Sequence, residues 1–307
     1  MRKACLDAVP NEIAKNSKII FIGSDLGKET LHKTKKLFPN QFYMEGIAEQ
    51  HLVGFAAGLA LEGFIPFIHT ISTFLTRRAL DQIMIDVGLH DLPVILLGGG
   101  GGLTYAPLGP THQSIEDFAL MRTVPGMSVI APGDPLEMKE VIADLASFPK
   151  PAYIRIGRGG EPVVTDKLSR FKFGKFRMFK VHKTDLTLFV TGSLLHEALD
   201  ALTMLSNHNI KINLVHVPYV EPFDEECFKN LVHHESKIYV VEEHILNGGL
   251  FSRIAETLAT NGIRAKLIPI NLPKQFSTKY GSQRDHWIGH GLDSSGICSI
   301  IKETYRS

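Results

Sequence analysis

The sequence predicts an α/β protein of two domains, each a mostly parallel sheet flanked by helices. Three observations carry that expectation: a length of 307 residues, short β-branched or aromatic runs alternating with longer amphipathic segments, and one interruption of that alternation past the midpoint. Two domains of about 150 residues each are the natural division of such a chain. Strand–helix alternation places consecutive strands parallel, because the return path runs through a covering helix.

The runs at 18–22 (KIIFI), 42–44 (FYM), 66–69 (PFIH), 93–97 (PVILL), 128–131 (SVIA) and 152–156 (AYIRI) read as strands of the first domain, residues 1–165. The pattern lapses through Gly157, Gly159, Gly160 and Pro162 into a basic, aromatic stretch from Arg170 to Arg177. Residues 166–184 therefore read as a linker that packs partly on the domains it joins. Alternation resumes at 186–190 (LTLFV), 212–217 (INLVHV), 237–241 (KIYVV) and 265–269 (AKLIP), giving a smaller α/β domain over 185–307.

Composition excludes several classes. With 44% hydrophobic and 21% charged residues and a formal net charge of +1, the chain is neither a disordered polyampholyte nor a nucleic-acid-coating protein. Cys5, Cys227 and Cys298 are far apart and odd in number, which argues against a disulfide framework or zinc site and for a reducing compartment. No apolar run reaches membrane-spanning length and no signal-type apolar region follows Met1, so a cytoplasmic location is expected.

The segment from Glu45 to Leu61 reads as one helix with no charge after His51, hence buried on all sides. Glu49 stands at its entrance and shares a face with Val53, Ala56 and Ala60. A carboxylate on an apolar face is costly unless paired. Capping of the helix start is the ordinary role for such a residue; a functional role needs the neighbouring sequence as well. The five glycines 98–102 tempt a nucleotide-loop reading, but Leu103 breaks the G-x-G-x-x-G register, and Pro107 and Pro110 oppose an immediately following helix.

The neighbouring sequence does supply it. GIAEQ at 46–50, followed by a small-residue helix, resembles the activating-glutamate segment of the transketolase and deoxyxylulose-phosphate synthase superfamily. STFLTRRALDQ at 72–82 is similar to the segment whose aromatic ring stacks on the cofactor's aminopyrimidine. GPTHQ at 109–113 is similar to the family's Gly-x-Thr-His-Gln segment, and the strand ending at 152–159 to the one that places a phosphate-binding arginine. The resemblance runs through most of the chain in the same order. It implies thiamine diphosphate as cofactor, Glu49 and His112 as catalytic residues, Glu49, Phe74 and Arg77 as cofactor contacts, and His112 and Arg158 as substrate contacts. Each has an ordinary alternative: core packing for Phe74, an i,i+4 pair with Asp81 for Arg77, a structural role for His112, and a surface salt bridge for Arg158. The strand-to-helix segment 241–250 (VEEHILNGGL) resembles the family's C-terminal domain but carries no catalytic assignment.

One part of the family pattern is missing. The Gly-Asp-Gly to asparagine segment that holds the diphosphate through Mg2+ or Ca2+ has only a near match at Pro132-Gly133-Asp134-Pro135, with proline where glycine would be needed. The resemblance therefore implies a separate N-terminal subunit carrying that domain and the metal, and a heterotetramer of two copies of each. The expected activity is ketol transfer between sugars; a deoxyxylulose-phosphate synthase relative, a 2-oxoacid dehydrogenase beta subunit, and a noncatalytic scaffold are the alternatives. Leu108 stands where the family carries aspartate, Gly100 and Gly101 where it offers histidine or arginine to a substrate phosphate, and Ile71 where it has an aromatic or polar residue. These departures predict a wider, less polar pocket and a non-standard sugar.

Overall fold

A computed structural model describes residues 1–24, 28–168, 171–182 and 184–305; residues 169, 170 and 183 of the expected linker lie outside them. The described strands are β1 (Ile19–Gly23), β2 (Phe42–Met44), β3 (Ile65–Ile71), β4 (Ile95–Gly99), β5 (Ser128–Ile130), β6 (Ala152–Ile156), β7 (Arg177–Lys180), β8 (Leu186–Val190), β9 (Asn213–His216), β10 (Tyr219–Glu221), β11 (Lys237–Ile245) and β12 (Lys266–Leu272). They form a seven-stranded sheet in the order β10-β5-β6-β4-β3-β1-β2 and a five-stranded sheet in the order β12-β11-β8-β9-β7. Both are parallel except at one edge, where β10 runs against β5 and β7 against β9.

Every central strand is buried on both faces, and alternate residues divide between two cores as the period of two requires. In the first sheet Phe21, Phe67, Leu97 and Ile154 face the helices Arg2–Ile13 and Pro135–Ser147, whereas Ile22, Ile68, Leu96 and Tyr153 face the helix Glu49–Leu61. In the second, Leu188, Val190 and Tyr239 oppose Phe189, Val215 and Val240. Leu103 and Ala106, from the loop after β4, pack into the second domain's core.

The two edge strands escape the sequence pattern for a physical reason. β7 lies in the expected linker, and its Arg177, Met178 and Lys180 lack the apolar alternation of a half-buried strand. β10 belongs by position to the second domain yet completes the first sheet, so the chain crosses the expected boundary once more than the alternation shows. The helix expected from Glu45 begins only at Glu49, because Gly46 has φ 79° and Ala48 is also non-helical. Nor is that helix buried all round: Leu52, Val53, Ala56, Ala57 and Ala60 are covered, but Gly58 and Leu61 are exposed and Phe55 and Leu59 half-buried. Absence of charge thus marks an apolar face that this chain leaves open, not a helix interior.

Candidate active site

The carboxyl ends of β1, β3, β4 and β6 share one edge of the first sheet, and the strand order reverses at β1: the chain steps from β1 to β2 on one side, then crosses back to β3 on the other and continues outward to β4. Crevices at such reversals are where open α/β sheets bind ligands. Glu49 opens the helix after β2, and its carboxylate is 1% exposed, within the first turn where the helix dipole favours negative charge. It accepts from Thr70 Oγ1 at 3.3 Å, at the end of β3, and from Arg78 Nη1 at 2.5 Å. The pairing with Arg78 answers the desolvation cost that the apolar face imposes. Sequence reasoning does not single out Arg78, because its neighbour, Arg77, fits the family segment.

β3 runs directly into the helix Ser72–Arg78, which buries Ser72, Thr73, Leu75 and Thr76 and leaves Phe74 half-buried. The Arg78 guanidinium lies over the Phe74 ring at 4.8 Å, and the His112 ring meets it edge-on with centroids 5.1 Å apart. Glu49, Arg78, Phe74 and His112 therefore make one line of contacts. His112 Nδ1 is 2.9 Å from Thr111 Oγ1, which orients the imidazole and leaves Nε2 for another group. Arg77 pairs with Glu116 and donates from Nη2 to the Gln113 carbonyl at 3.0 Å, so it holds the loop that presents His112. Its partner is Glu116, not Asp81, the i,i+4 neighbour expected of an isolated helix. Arg158 is exposed two residues beyond β6 and joins none of these contacts among the described residues.

Beneath this line lies a buried polar network. The Ser72 hydroxyl is 2.7 Å from that of Ser114 and 2.6 Å from that of Tyr153, and Tyr153 donates to Asp117 Oδ2 at 2.5 Å. Arg155 donates to both oxygens of Asp117, to the Glu243 carbonyl at 3.0 Å, and stacks 3.7 Å from the Phe118 centroid. Burial alone would push Asp117 up, but the Arg155 charge and hydrogen bond outweigh it and hold the carboxyl below its usual range. From the second domain, the Glu243 carboxylate accepts from Leu103 N at 3.1 Å, Gln283 Nε2 at 2.9 Å and Trp287 Nε1 at 2.7 Å. Burial raises Glu243, with Arg155 offsetting part of the effect. The segment around Glu243 thus fixes the glycine loop across the domain boundary, a role that its strand-to-helix pattern does not announce.

The glycine run is shaped by these same neighbours. A Cβ at Gly98 would meet the Tyr153 ring, at Gly100 the Tyr105 ring, at Gly101 the Arg155 side chain and at Gly102 the Glu243 carboxylate. Gly100 and Gly102 also have φ of 74° and 63°. The expectation of a pocket widened at Gly100 and Gly101 is therefore corrected: Tyr105 and Arg155 fill the space beside them. The near match to a metal-binding segment is also accounted for, since Asp134 caps the helix Pro135–Ser147 and accepts from Glu137 N, Val164 N and Thr165 N at 2.8 to 2.9 Å.

A family model for the transketolase pyrimidine-binding domain matches residues 1–161, and one for the transketolase C-terminal domain matches residues 175–291. One of the subunits of the apulose-4-phosphate transketolase of Phocaeicola vulgatus is 32% identical over 98% of this chain and 96% of its own length. A putative transketolase C-terminal section of Methanocaldococcus jannaschii is 33% identical over 99% of this chain and 95% of its own. The 1-deoxy-D-xylulose-5-phosphate synthase of Chlorobium luteolum is 36% identical over 89% of this chain, which spans only 43% of that enzyme. Among solved structures, a split-gene transketolase described as an inactive beta4 tetramer superposes with a TM-score of 0.85 at 30% identity, covering 98% of this chain and 96% of that one. The Pichia stipitis transketolase in complex with sedoheptulose 7-phosphate shares the fold at a TM-score of 0.79, with 19% identity over 99% of this chain and 45% of that one. Matched by both domain models and by relatives of its own length, the chain belongs to the transketolase family and carries that family's pyrimidine-binding and C-terminal domains.

Proposed function

We propose that this chain is the C-terminal subunit of a two-component transketolase, moving a two-carbon ketol unit from a ketose to an aldose. The observation that carries the reading is the contact line Glu49, Arg78, Phe74 and His112 at the carboxyl edge of the sheet. Two relatives of matching length, one named as a transketolase subunit and the other as a C-terminal section, support it.

The residues fit the pyrimidine half of thiamine diphosphate: a carboxylate 1% exposed with one hydrogen bond on each oxygen, beside a half-buried aromatic ring. Glu49 would hold the pyrimidine ring nitrogen and Phe74 the ring face. When bound, the cofactor supplies the nucleophilic carbon and the electron sink for breaking a carbon–carbon bond beside a carbonyl. This chain's own work is positional and protic. Thr70 and Arg78 hold the Glu49 carboxyl, Arg77 holds the loop, and His112 Nε2 offers a hydrogen bond to a donor hydroxyl or the developing charge on its oxygen. Arg158 is proposed as a phosphate contact reached by the substrate's far end.

The diphosphate and its Mg2+ or Ca2+ are assigned to an N-terminal subunit, with two copies of each chain in the active assembly. Ile47, Leu61, Ile85 and Leu89 stand 47 to 70% exposed on and beside the Glu49 helix, an apolar area suited to a subunit contact. Three free cysteines favour a reducing, cytoplasmic setting; no described helix is long and apolar enough to cross a membrane. The sugar is proposed to be non-standard because Leu108, 57% exposed, stands where an acidic reader of a donor hydroxyl is expected. The deciding experiment mixes this chain with the half-chain bearing Gly-Asp-Gly and measures thiamine-dependent ketol transfer. Transfer lost in Glu49→Gln supports the reading, and no transfer with any ketose overturns it.

A further inference from the structure

A cavity of about 130 Å3 lies between the two domains, with Gln113 on one wall and Lys279, His286 and His290 on the other. Its volume corresponds to about four waters at roughly 30 Å3 each, well below the roughly 300 to 1,000 Å3 of sites for drug-sized ligands. Two of its polar side chains are built in: Gln113 is 2% exposed and His286 4%. Gln113 Nε2 and His286 Nε2 have no hydrogen-bond partner among the described residues. Buried polar atoms left so are uncommon in folded proteins and point to a missing partner.

Among the described residues no carboxylate lines the cavity, while one lysine and two histidines do. The imidazoles of His286 and His290 lie nearly parallel with centroids 6.3 Å apart. His290 is held below its ordinary value by burial and then by the neighbouring His286 and Lys279. Asp285, the neighbour of His286, lies within range of its charge but spends its carboxylate on the capping box with Ser282. We propose that this interdomain cavity binds one tetrahedral oxyanion, either inorganic phosphate or the phosphate group of a small metabolite. Charge-assisted donors from both domains would grip it. Gln113 follows His112 directly, and its carbonyl is the anchor for Arg77. The bound anion therefore bears on the loop that presents His112.

The site is separate from Arg158 and its occupancy does not depend on ketol transfer, so the test is binding to the full chain. Titration calorimetry with inorganic phosphate, at ionic strength held constant with chloride, should show one site per chain with Kd at or below about 1 mM. Glycerol phosphate is the second probe: tighter binding than phosphate assigns a metabolite, weaker binding the free ion. His286→Gln should weaken binding at least tenfold. Because His286 is buried, His290→Gln and Lys279→Gln, at half-buried and exposed positions, provide variants that preserve the fold, and each should weaken binding several-fold. Arg158→Ala should leave binding in place. The proposal fails if phosphate does not bind, if His290→Gln and Lys279→Gln both bind as the parent does, or if Arg158→Ala abolishes binding.

Discussion

Replacing Arg155 with methionine removes the charge at the centre of the buried network while keeping most of the side chain's bulk. Asp117 is fully buried and Arg155 7% exposed, so neither charge can turn to water. After the change Asp117 keeps the Tyr153 hydroxyl at 2.5 Å and Phe118 N at 3.0 Å, and loses both guanidinium bonds. The Glu243 carbonyl loses its donor as well. Leaving one partner of a buried pair uncompensated costs about 3–5 kcal/mol, and at about 2–4 °C per kcal/mol the melting temperature should fall by roughly 6 to 20 °C. Asp117→Asn should cost a similar amount, but the double variant should cost less than the two singles added, because no orphaned charge remains. The folded-state value of Asp117 lies below its unfolded one, so its contribution is present above the unfolded carboxylate value and lost as pH falls through the folded one. The gap between parent and variant should therefore narrow below about pH 4. Calorimetry and urea titration over that range test the argument. A loss under about 1 kcal/mol for Arg155→Met, or strict additivity in the cycle, would refute it.

Glu49→Gln should fold normally, since glutamine keeps the side chain's shape and an acceptor oxygen, removes the buried charge, and leaves Arg78, 44% exposed, able to turn to water; turnover of the reconstituted complex should fall by at least about a hundredfold, and unchanged turnover removes Glu49 from the chemistry. Burial raises Glu242 to about 7 despite hydrogen bonds from Leu250 N and Phe251 N. Because the folded value lies above the unfolded one, its contribution is full below about pH 4.5 and lost as pH rises through 7. Stability should therefore decline between about pH 4.5 and 7 by up to about 3 kcal/mol, and an equal decline in Glu242→Gln would assign the effect elsewhere. The chain alone should bind thiamine diphosphate weakly, and sedimentation should show a shift to the mixed tetramer when the partner is added; tight magnesium-dependent binding by this chain alone would contradict the division of ligands. With xylulose 5-phosphate and ribose 5-phosphate, losing a charge-assisted contact of about 1.5 to 3 kcal/mol should lower affinity roughly tenfold to a hundredfold or more. A kcat/KM above about 10⁴ per molar per second would show the standard sugars to be good substrates.

The strands that carry the site are legible as short β-branched or aromatic runs: β1, β3, β4 and β6 are buried on both faces, and the structure pairs all four in one sheet. β7 and β10 do not show in the pattern: β7 leaves Met178 and Lys180 exposed, and β10, although Tyr219 and Val220 are buried, is only three residues long. Local motifs point to Glu49, Phe74 and His112 as candidates, and the fold joins them through Arg78 in one line of contacts. Arg78 and the Asp117–Arg155–Glu243 network were missed because their meaning is tertiary. Arg155 sits in an ordinary strand run and Glu243 is 88 residues away in sequence, so no local spacing could join them. Glu49's neighbours misled in one respect: an uncharged helix reads as buried whether its second face meets its own domain or another subunit.

The glycine run shows how such tertiary causes redirect a functional argument. Read alone, five small residues beside a substrate pocket mean lost contacts and added space. In the fold they are small because four large side chains, Tyr105, Tyr153, Arg155 and Glu243, must approach the backbone there. Glu243 belongs to the other domain, and it holds Leu103 N through the same carboxylate that crowds Gly102. The wall is therefore closed and rigid, braced by groups that also support Ser72 and Ser114 below Phe74 and His112. A substrate phosphate finds no added cation at Gly100 or Gly101, but neither does a bulkier sugar find extra room. Leu108, by contrast, is 57% exposed, and the distinguishing group of the non-standard sugar proposed above should be one that tolerates an apolar neighbour where a hydroxyl-reading carboxylate would otherwise stand.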